Sequence, residues 1–322
     1  MKLLITGGAG FIGSNFIDHV LVKYPMYEVV NLDKLTHAGD RSSLAKWESD
    51  SRYKFVHGDI CDVSLVNELV SACDVIVHFA AESHVDRSIA DPSPFIQTNI
   101  VGTSVLLEAA RLHGGKRLHH VSTDEVFGQL DEQEAAFHES TPYDPRSPYS
   151  ASKASSDHLV RAYYHTYGLP VTISNCSNNY GPRQFIESFI LRIITNLLED
   201  KKIPVYGDGK QIRDWLYVGD HCEAIDLIVH TGGTGETYCI GGDTEKMNID
   251  IVRTISTLMG KNSEDSIEYV QDRPGHDRRY AVSFKKITEE LGWKPETDFS
   301  VGIQKTIEWY VENESWWKSK KK

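Results

Sequence analysis

The segment Lys2-Leu3-Leu4-Ile5-Thr6-Gly7-Gly8-Ala9-Gly10-Phe11-Ile12-Gly13 decides the fold. Its first five residues read as a short apolar strand, and a helical pattern follows through Val22. Between them Gly7, Gly10 and Gly13 form G-x-x-G-x-x-G, a variant of the dinucleotide fingerprint. Such a turn needs residues without a Cβ, so that the backbone approaches a pyrophosphate and the helix sits close on the strand. The strand-to-helix setting gives the glycine spacing its weight.

A second strand is expected over residues 28–32, ending at Asp33. An acid about 20 residues past the glycine turn suits a ribose 2′-hydroxyl and repels a 2′-phosphate, favouring NAD over NADP. A helix N-cap is the plain structural alternative. Lys34, Leu35 and Thr36 continue toward the adenosine. A third strand, 53–57, leads to Gly58-Asp59-Ile60, where Asp59 suits an adenine amino group or caps a helix starting near Ser64. A fourth, 74–79, ends at Phe79 and runs into Ala80-Ala81-Glu82-Ser83-His84. The two small residues let the backbone approach a cofactor, which leaves Ser83 and His84 beside its nicotinamide end. A helix over 95–113 carries Thr98 and Asn99 near its start, and a fifth strand covers 117–122. This alternation predicts an α/β, Rossmann-type doubly wound parallel sheet with ligands at the carboxyl ends of its strands.

The fifth strand runs into His119-His120-Val121-Ser122-Thr123-Asp124-Glu125-Val126-Phe127-Gly128. An apolar strand that finishes on a hydroxyl and two adjacent carboxylates points to a site. On extended backbone the two acids face different ways, so one can protonate a leaving group while the other takes a proton. Downstream, Tyr149 and Lys153 stand four apart at the start of a helix over 148–167 and share one face. A nearby ammonium is expected to lower the phenol's pKa, making Tyr149 a base for a sugar hydroxyl. An exposed acidic turn and a chance Y-x-x-x-K are the plain alternatives. Their joint occurrence behind a dinucleotide fold favours function.

After a strand over 171–176 the character changes. Residues 178–182 read as a polar turn, followed by a helix over 189–198, Pro204-Val205-Tyr206, Arg213, a helix over 220–230, Asn248 and the run 272–280. Arg213, Arg273, Arg278 and Arg279 suit a diphosphate held bidentately, against surface salt bridges as the alternative. A last helix, 301–312, is expected to dock through Ile303, Ile307 and Tyr310. The expected division is a cofactor domain over 1–176 and a smaller, interleaved C-terminal substrate lobe over 177–322, with some segments returning to the first.

The 322 residues allow such a domain and lobe, and the net charge of −12 argues against a nucleic-acid partner. No apolar run is long enough for a bilayer, and the N-terminus enters a strand directly, so no signal peptide and no membrane partner are expected. The five cysteines, odd in number and widely spaced, read as reduced thiols of a cytoplasmic protein. The 14 histidines show no metal-ligand spacing, so no metal is expected. Lys318, Lys320, Lys321 and Lys322 read as a frayed, solvated end.

The segments GGAGFIG (7–13), DKLT (33–36), AAESHVDRS (80–88), STDEVFG (122–128), YSASKASSDHLVRA (149–162), NCSNNYGP (175–182), IRDWLYV (212–218) and DRPGHDRRYA (272–281) together resemble the dTDP-glucose 4,6-dehydratases. These are hydro-lyases of the extended short-chain dehydrogenase/reductase family. The resemblance implies that Tyr149, with Lys153 and Thr123, removes the C4 hydroxyl proton of dTDP-glucose as NAD accepts the C4 hydride. Glu125 then takes the C5 proton, Asp124 protonates the C6 hydroxyl, water leaves, and the hydride returns to C6. NAD is regenerated and a 4-keto-6-deoxy sugar nucleotide results.

The same resemblance groups Gly7, Gly10, Phe11, Ile12, Gly13, Asp33, Lys34, Leu35, Thr36, Asp59, Ile60, Phe79, Ala80, Ala81, Thr98, Tyr149, Lys153 and Asn179 with NAD. It groups Ser83, His84, Thr123, Asn178, Glu187, Ser188, Pro204, Val205, Tyr206, Arg213, Asn248, Asp272, Arg273, Pro274, Gly275 and His276 with the nucleotide sugar. It also implies a homodimer built from the helices over 95–113 and 149–167. The chain departs from the family pattern at His37 and Phe127, where Tyr is usual, at Ser188, where Lys is usual, and in the short segment 129–147. Sugar-nucleotide C4 epimerases share the Tyr and Lys but lack the acid pair. A UDP-glucose specificity stays open. A non-catalytic NAD sensor would be expected to have lost Tyr149, Lys153 or Glu125.

Overall fold

The computed structural model describes residues 1–272 and 276–321. In chain order its strands are β1 Lys2–Thr6, β2 Glu28–Asp33, β3 Tyr53–His57, β4 Val75–His78, β5 Arg117–Thr123 and β6 Val171–Cys176. There follow β7 Asn178–Tyr180, β8 Ile203–Tyr206, β9 Ile212–Tyr217, β10 Thr237–Ile240, β11 Glu245–Met247 and β12 Ile267–Val270. Seven of them form one sheet in the order β10-β6-β5-β4-β1-β2-β3, with every pairing parallel. Parallel strands are covered on both faces, so they read as continuous apolar runs. Accordingly β4 and β6 are buried at every residue.

Alternate residues of β1 feed opposite cores, as the two-residue period of a strand requires. Leu4 joins Val66, Leu106 and Val160 under the helices Val63–Ser71, Thr103–Leu112 and Pro148–Tyr167. Leu3 and Ile5 join Phe16, Val20 and Ile225 under the helices Phe11–Lys23 and Val218–Thr231. The chain winds one way from β1 to β2 and the other way to β4, so a crevice opens at the carboxyl ends where the winding reverses. A separate core of Ile190, Ile194, Ile251, Ile303, Tyr310 and Trp317, with Ile307 packed against it, supports the sheets β11-β9-β7 and β12-β8.

Three local expectations are corrected. Asn178–Tyr180 is a strand rather than a polar turn, because its backbone pairs with Trp215–Tyr217 of β9. The helix expected over 95–113 is interrupted by a π-helical stretch, Ile96–Gly102. There the Thr103 hydroxyl donates to the Asn99 carbonyl at 2.6 Å, while the Asn99 amide holds the backbone of Glu82 on the turn after β4. Widened turns of this kind recur near functional sites. The C-terminal end is docked rather than frayed. Trp317 is fully buried and donates to the Tyr310 carbonyl at 2.9 Å. Lys320 pairs with Asp40, and Lys321 with Glu199 at 2.9 Å. Lys322 lies outside the described residues.

Trp317→Ala should therefore cost about 3–5 kcal/mol, the usual range for deleting a buried aromatic. Urea unfolding measures it. A loss below about 1 kcal/mol would contradict the docking.

Candidate active site

The crevice is a cleft of about 360 Å³. At its floor two turns touch. Gly7 has φ +73°, and a Cβ there would lie 2.5 Å from the Ala80 nitrogen. At Gly13 a Cβ would lie 2.4 Å from the Gly7 carbonyl oxygen, so the glycines let helix and strand close on each other. A Cβ on Gly10 would meet only the Gly7 oxygen, at 3.2 Å. Helix Phe11–Lys23 begins at Gly10, which has no side chain to occupy the helix's first N–H groups. Those donors suit a pyrophosphate.

Asp33 ties this turn to the end of β2. Its Oδ2 accepts from the Ala9 N–H at 2.9 Å and its Oδ1 from the Leu35 N–H at 2.8 Å. Burial pushes its carboxyl up, and these two donors work against that. Asp33 caps no helix; Asp40 caps the next one, Arg41–Trp47. Asp59 is likewise no cap, since Asp62 caps helix Val63–Ser71. It pairs with Lys34 at 2.7 Å and accepts from the Cys61 N–H. Gly7, Gly10, Phe11, Ile12, Gly13, Asp33, Lys34, Thr36, Asp59, Ile60, Phe79, Ala80, Ala81, Thr98, Tyr149, Lys153 and Asn179 all line the cleft. Leu35 does not: at φ +54° it serves the bend after β2. Cys176 and Ser177, within the 175–182 motif, also line it, as do Gln184 and Phe185, which nothing local in the sequence marks.

Thr123, Asp124, Tyr149 and Lys153 form the inner end of the cleft. The two acids do not sit on extended backbone as expected. They open a 3-10 turn, Asp124–Phe127, whose N-cap is the Thr123 hydroxyl, accepting from the Glu125 N–H at 3.3 Å. The same hydroxyl donates to Asp124 Oδ1 at 3.3 Å, and its proximity to the Tyr149 phenol favours the phenolate. Asp124 Oδ2 is buried with no hydrogen-bond partner among the described residues. Burial, then Glu125 and Asp214, push the Asp124 carboxyl well above its usual range. The shift favours the neutral acid at Asp124.

The expected lowering of the Tyr149 pKa is also corrected. Burial, then the charge of Glu125, push the phenol well above 10. Tyr149 and Lys153 do share a helix face, but the lysine head turns back to the strand. Its Nζ donates to the Val121 carbonyl at 2.8 Å. Burial draws the Lys153 amine down to about 8.

The residues grouped with a sugar nucleotide are more scattered. Ser83, Thr123, Asn178 and Ser188 line the cleft, whereas His84 and Glu187 do not; nor does Glu125, the expected base. Glu187 forms an ion pair with Arg87 at 2.9 Å and lies 3.6 Å from His84. Arg213 is buried over the Tyr280 ring at 4.3 Å and donates to the Ile212 and Asp277 carbonyls. Arg278 and Arg279 are in ion pairs, with Asp208 and, bidentately, with Glu245. Pro204, Val205, Tyr206, Asn248, Asp272 and His276 lie in the second lobe outside the cleft lining. The Val205 side chain is part of that lobe's core. Asp272 and His276 bond each other at 2.6 Å. Arg273, Pro274 and Gly275 lie outside the described residues. Among those described, no three His, Cys, Asp or Glu side chains group to hold a metal ion.

The family model for GDP-mannose 4,6 dehydratase matches residues 4–306. The dTDP-glucose 4,6-dehydratase of Shigella flexneri is 53% identical over 98% of this chain and 94% of its own length. Escherichia coli K12 dTDP-glucose 4,6-dehydratase 1 matches to the same extent, 53% over 98% and 94%. The crystal structure of DesIV, a dTDP-glucose 4,6-dehydratase from Streptomyces venezuelae solved with NAD and dTDP, superposes with a TM-score of 0.97 at 48% identity, covering 100% of both chains. A Thermus thermophilus UDP-glucose 4-epimerase in complex with NAD is more distant, with a TM-score of 0.89 at 30% identity over 97% of this chain and 100% of its own. Matched along nearly its whole length in sequence and in fold, the chain belongs to the dTDP-glucose 4,6-dehydratase family.

Proposed function

We propose that this protein converts dTDP-glucose into dTDP-4-keto-6-deoxy-glucose and water, keeping NAD bound throughout the cycle. The observation that carries this reading is the neutral, partly unpaired Asp124 carboxyl beside Glu125, in the cleft that also holds Tyr149. The glycine floor, where a Cβ would collide, and the acid at Asp33 fit a dinucleotide with a free 2′-hydroxyl. When bound, NAD supplies the hydride acceptor for C4 and the donor for C6.

The chain's own residues move protons. Tyr149, beside Thr123, takes the C4 hydroxyl proton. The C4 ketone then acidifies C5–H; without it, elimination would leave a carbanion with no carbonyl to stabilise it. Glu125 removes the C5 proton, and Asp124, held protonated, gives its proton to the departing C6 hydroxyl. Two carboxyls can hold opposite roles when their surroundings push their pKa values apart.

In the same proposal residues 1–176 carry NAD and 177–322 mainly carry the nucleotide sugar. Two copies pair through the helices that expose Ile96, Val101, Leu112 and Tyr167, apolar side chains whose burial would favour association. The free, mostly buried thiols suit the cytoplasm.

Incubation with dTDP-glucose and UDP-glucose in parallel, with no NAD added, should give loss of water from dTDP-glucose alone by mass spectrometry. Water loss from UDP-glucose instead would overturn the nucleotide assignment. Tyr149→Phe should block oxidation, and Glu125→Gln should allow oxidation at C4 but not release of water. Each should slow product formation by roughly 10²–10⁴-fold; an unchanged rate in Glu125→Gln would remove Glu125 as the base.

Asp124→Asn should also change stability. A carboxyl whose folded pKa is raised stabilises the fold fully below its unfolded pKa, and that contribution is lost as pH rises toward the folded pKa. The Asn variant escapes this loss, so its gain in urea stability over wild type should be larger at pH 8 than at pH 5. An equal difference at both pH values would contradict a raised Asp124 pKa.

A further inference from the structure

Behind Lys153 lies a buried carboxylate to which neither the mechanism nor the family motifs assign work. Asp157 follows Lys153 by one turn of helix Pro148–Tyr167 and is completely buried. Its Oδ1 lies 3.2 Å from His120 Nε2, and that same ring nitrogen lies 3.4 Å from Lys153 Nζ. Oδ2 accepts from the Ser122 hydroxyl at 2.9 Å, the Tyr143 hydroxyl at 2.8 Å and the Asn175 amide at 3.2 Å. So many fixed donors suit a carboxylate rather than a carboxylic acid. Burial pushes Asp157 up, but His120, Lys153 and Tyr143 outweigh it and hold the group below its usual range.

The imidazole between them is neutral. Burial and Lys153 draw His120 down to about 4 against the pull of Asp157. Its other neighbours add little charge. The His78 ring on β4 stands 5.1 Å away, and burial lowers its pKa well below the usual value. Cys176 on β6 faces Lys153, and burial pushes that thiol up to about 12. Arg161, further along the helix, is spent on Tyr143, stacking over its ring at 4.8 Å and donating to its hydroxyl at 2.7 Å. Asp157 is thus the negative charge that faces Lys153 in this dry interior.

We propose that Asp157, with His120 wedged between, is the counter-ion that keeps the buried Lys153 ammonium charged behind the proton-abstracting end of the cleft. Both are positioning residues: they reach the reaction through Lys153. Without a counter-ion, a buried ammonium loses its proton rather than stay charged. A neutral Lys153 would leave the Tyr149 phenol, already disfavoured as phenolate by burial and Glu125, without a cation to help it ionise. The inference rests on the reading of Tyr149 as base.

The test is the pH dependence of kcat/KM for dTDP-glucose, measured on the NAD-loaded wild type, Asp157→Asn and His120→Gln. The alkaline limb, where Lys153 loses its proton, should move to lower pH by about 1–3 units in Asp157→Asn, the usual effect of one adjacent opposite charge. It should move by less, in the same direction, in His120→Gln, and Asp157→Glu should restore it. A lower amplitude with an unmoved alkaline limb would mean that Asp157 is merely structural and would overturn the proposal. If circular dichroism shows Asp157→Asn unfolded, His120→Gln decides alone: a lowered limb supports the proposal and an unmoved one ends it. If the wild type does not consume dTDP-glucose, the functional reading has failed instead. The Lys153 pKa is then read directly by pH-dependent acetylation and peptide mass spectrometry. A lower value in the variants supports the counter-ion, and an equal value refutes it.

Discussion

A carboxylate taken out of water must be met by fixed donors or by a cation, and in this protein that demand falls on Asp157. Meeting it brings together β5 through Ser122 and His120, β6 through Asn175, the segment before helix Pro148–Tyr167 through Tyr143, and the helix itself through Lys153. The network extends across the sheet. His78 accepts from Thr6 and bonds Thr103 with its other nitrogen, so one neutral tautomer satisfies both, and Thr103 leads on to Asn99 and the turn after β4. In a low-dielectric interior such contacts are strong when complete and costly when broken. The carboxyl edge of the sheet is therefore polar and rigid where the cleft opens.

The same rule sorts the two aspartates that flank the site. Asp157 Oδ2 accepts three hydrogen bonds, and the group faces His120 and Lys153, which hold its carboxyl below the usual range. Asp124 instead faces Glu125 and Asp214, which with burial push its carboxyl well above the usual range. In the proposed mechanism these identical side chains, both buried, serve as a counter-ion and a proton donor. Thr123 connects the second of these to the oxidation chemistry, since its one hydroxyl caps the acid turn and contacts both Asp124 and Tyr149.

What could be read from the sequence was what is local in the chain. The glycine turn and the acid ending β2 each lie within a few residues and line the cleft as expected, as do Thr123 and Asp124, though their run forms a 3-10 turn and Glu125 lies outside the lining. Contacts made by folding could not be read. A spacing of four places Tyr149 and Lys153 on one helix face, yet it does not say where the ammonium goes; β5, 32 residues earlier, supplies the Val121 carbonyl it binds. The strand at Asn178–Tyr180 was hidden because its partner, β9, comes much later. The terminal lysines suggested solvent, but Trp317 among them carries the docking. The described arginines grouped for a diphosphate lie on neighbouring backbone but turn to different partners: Arg278 and Arg279 find carboxylates, while Arg213 is buried against Tyr280.

The central claim is that one cleft oxidises C4, eliminates water across C5–C6 and reduces C6 without releasing its cofactor. The most direct test is turnover of dTDP-glucose carrying deuterium at C4, with the product examined by NMR. The account predicts that the deuterium leaves C4 and appears in the C6 methyl group. Deuterium retained at C4, or lost to solvent, would contradict it.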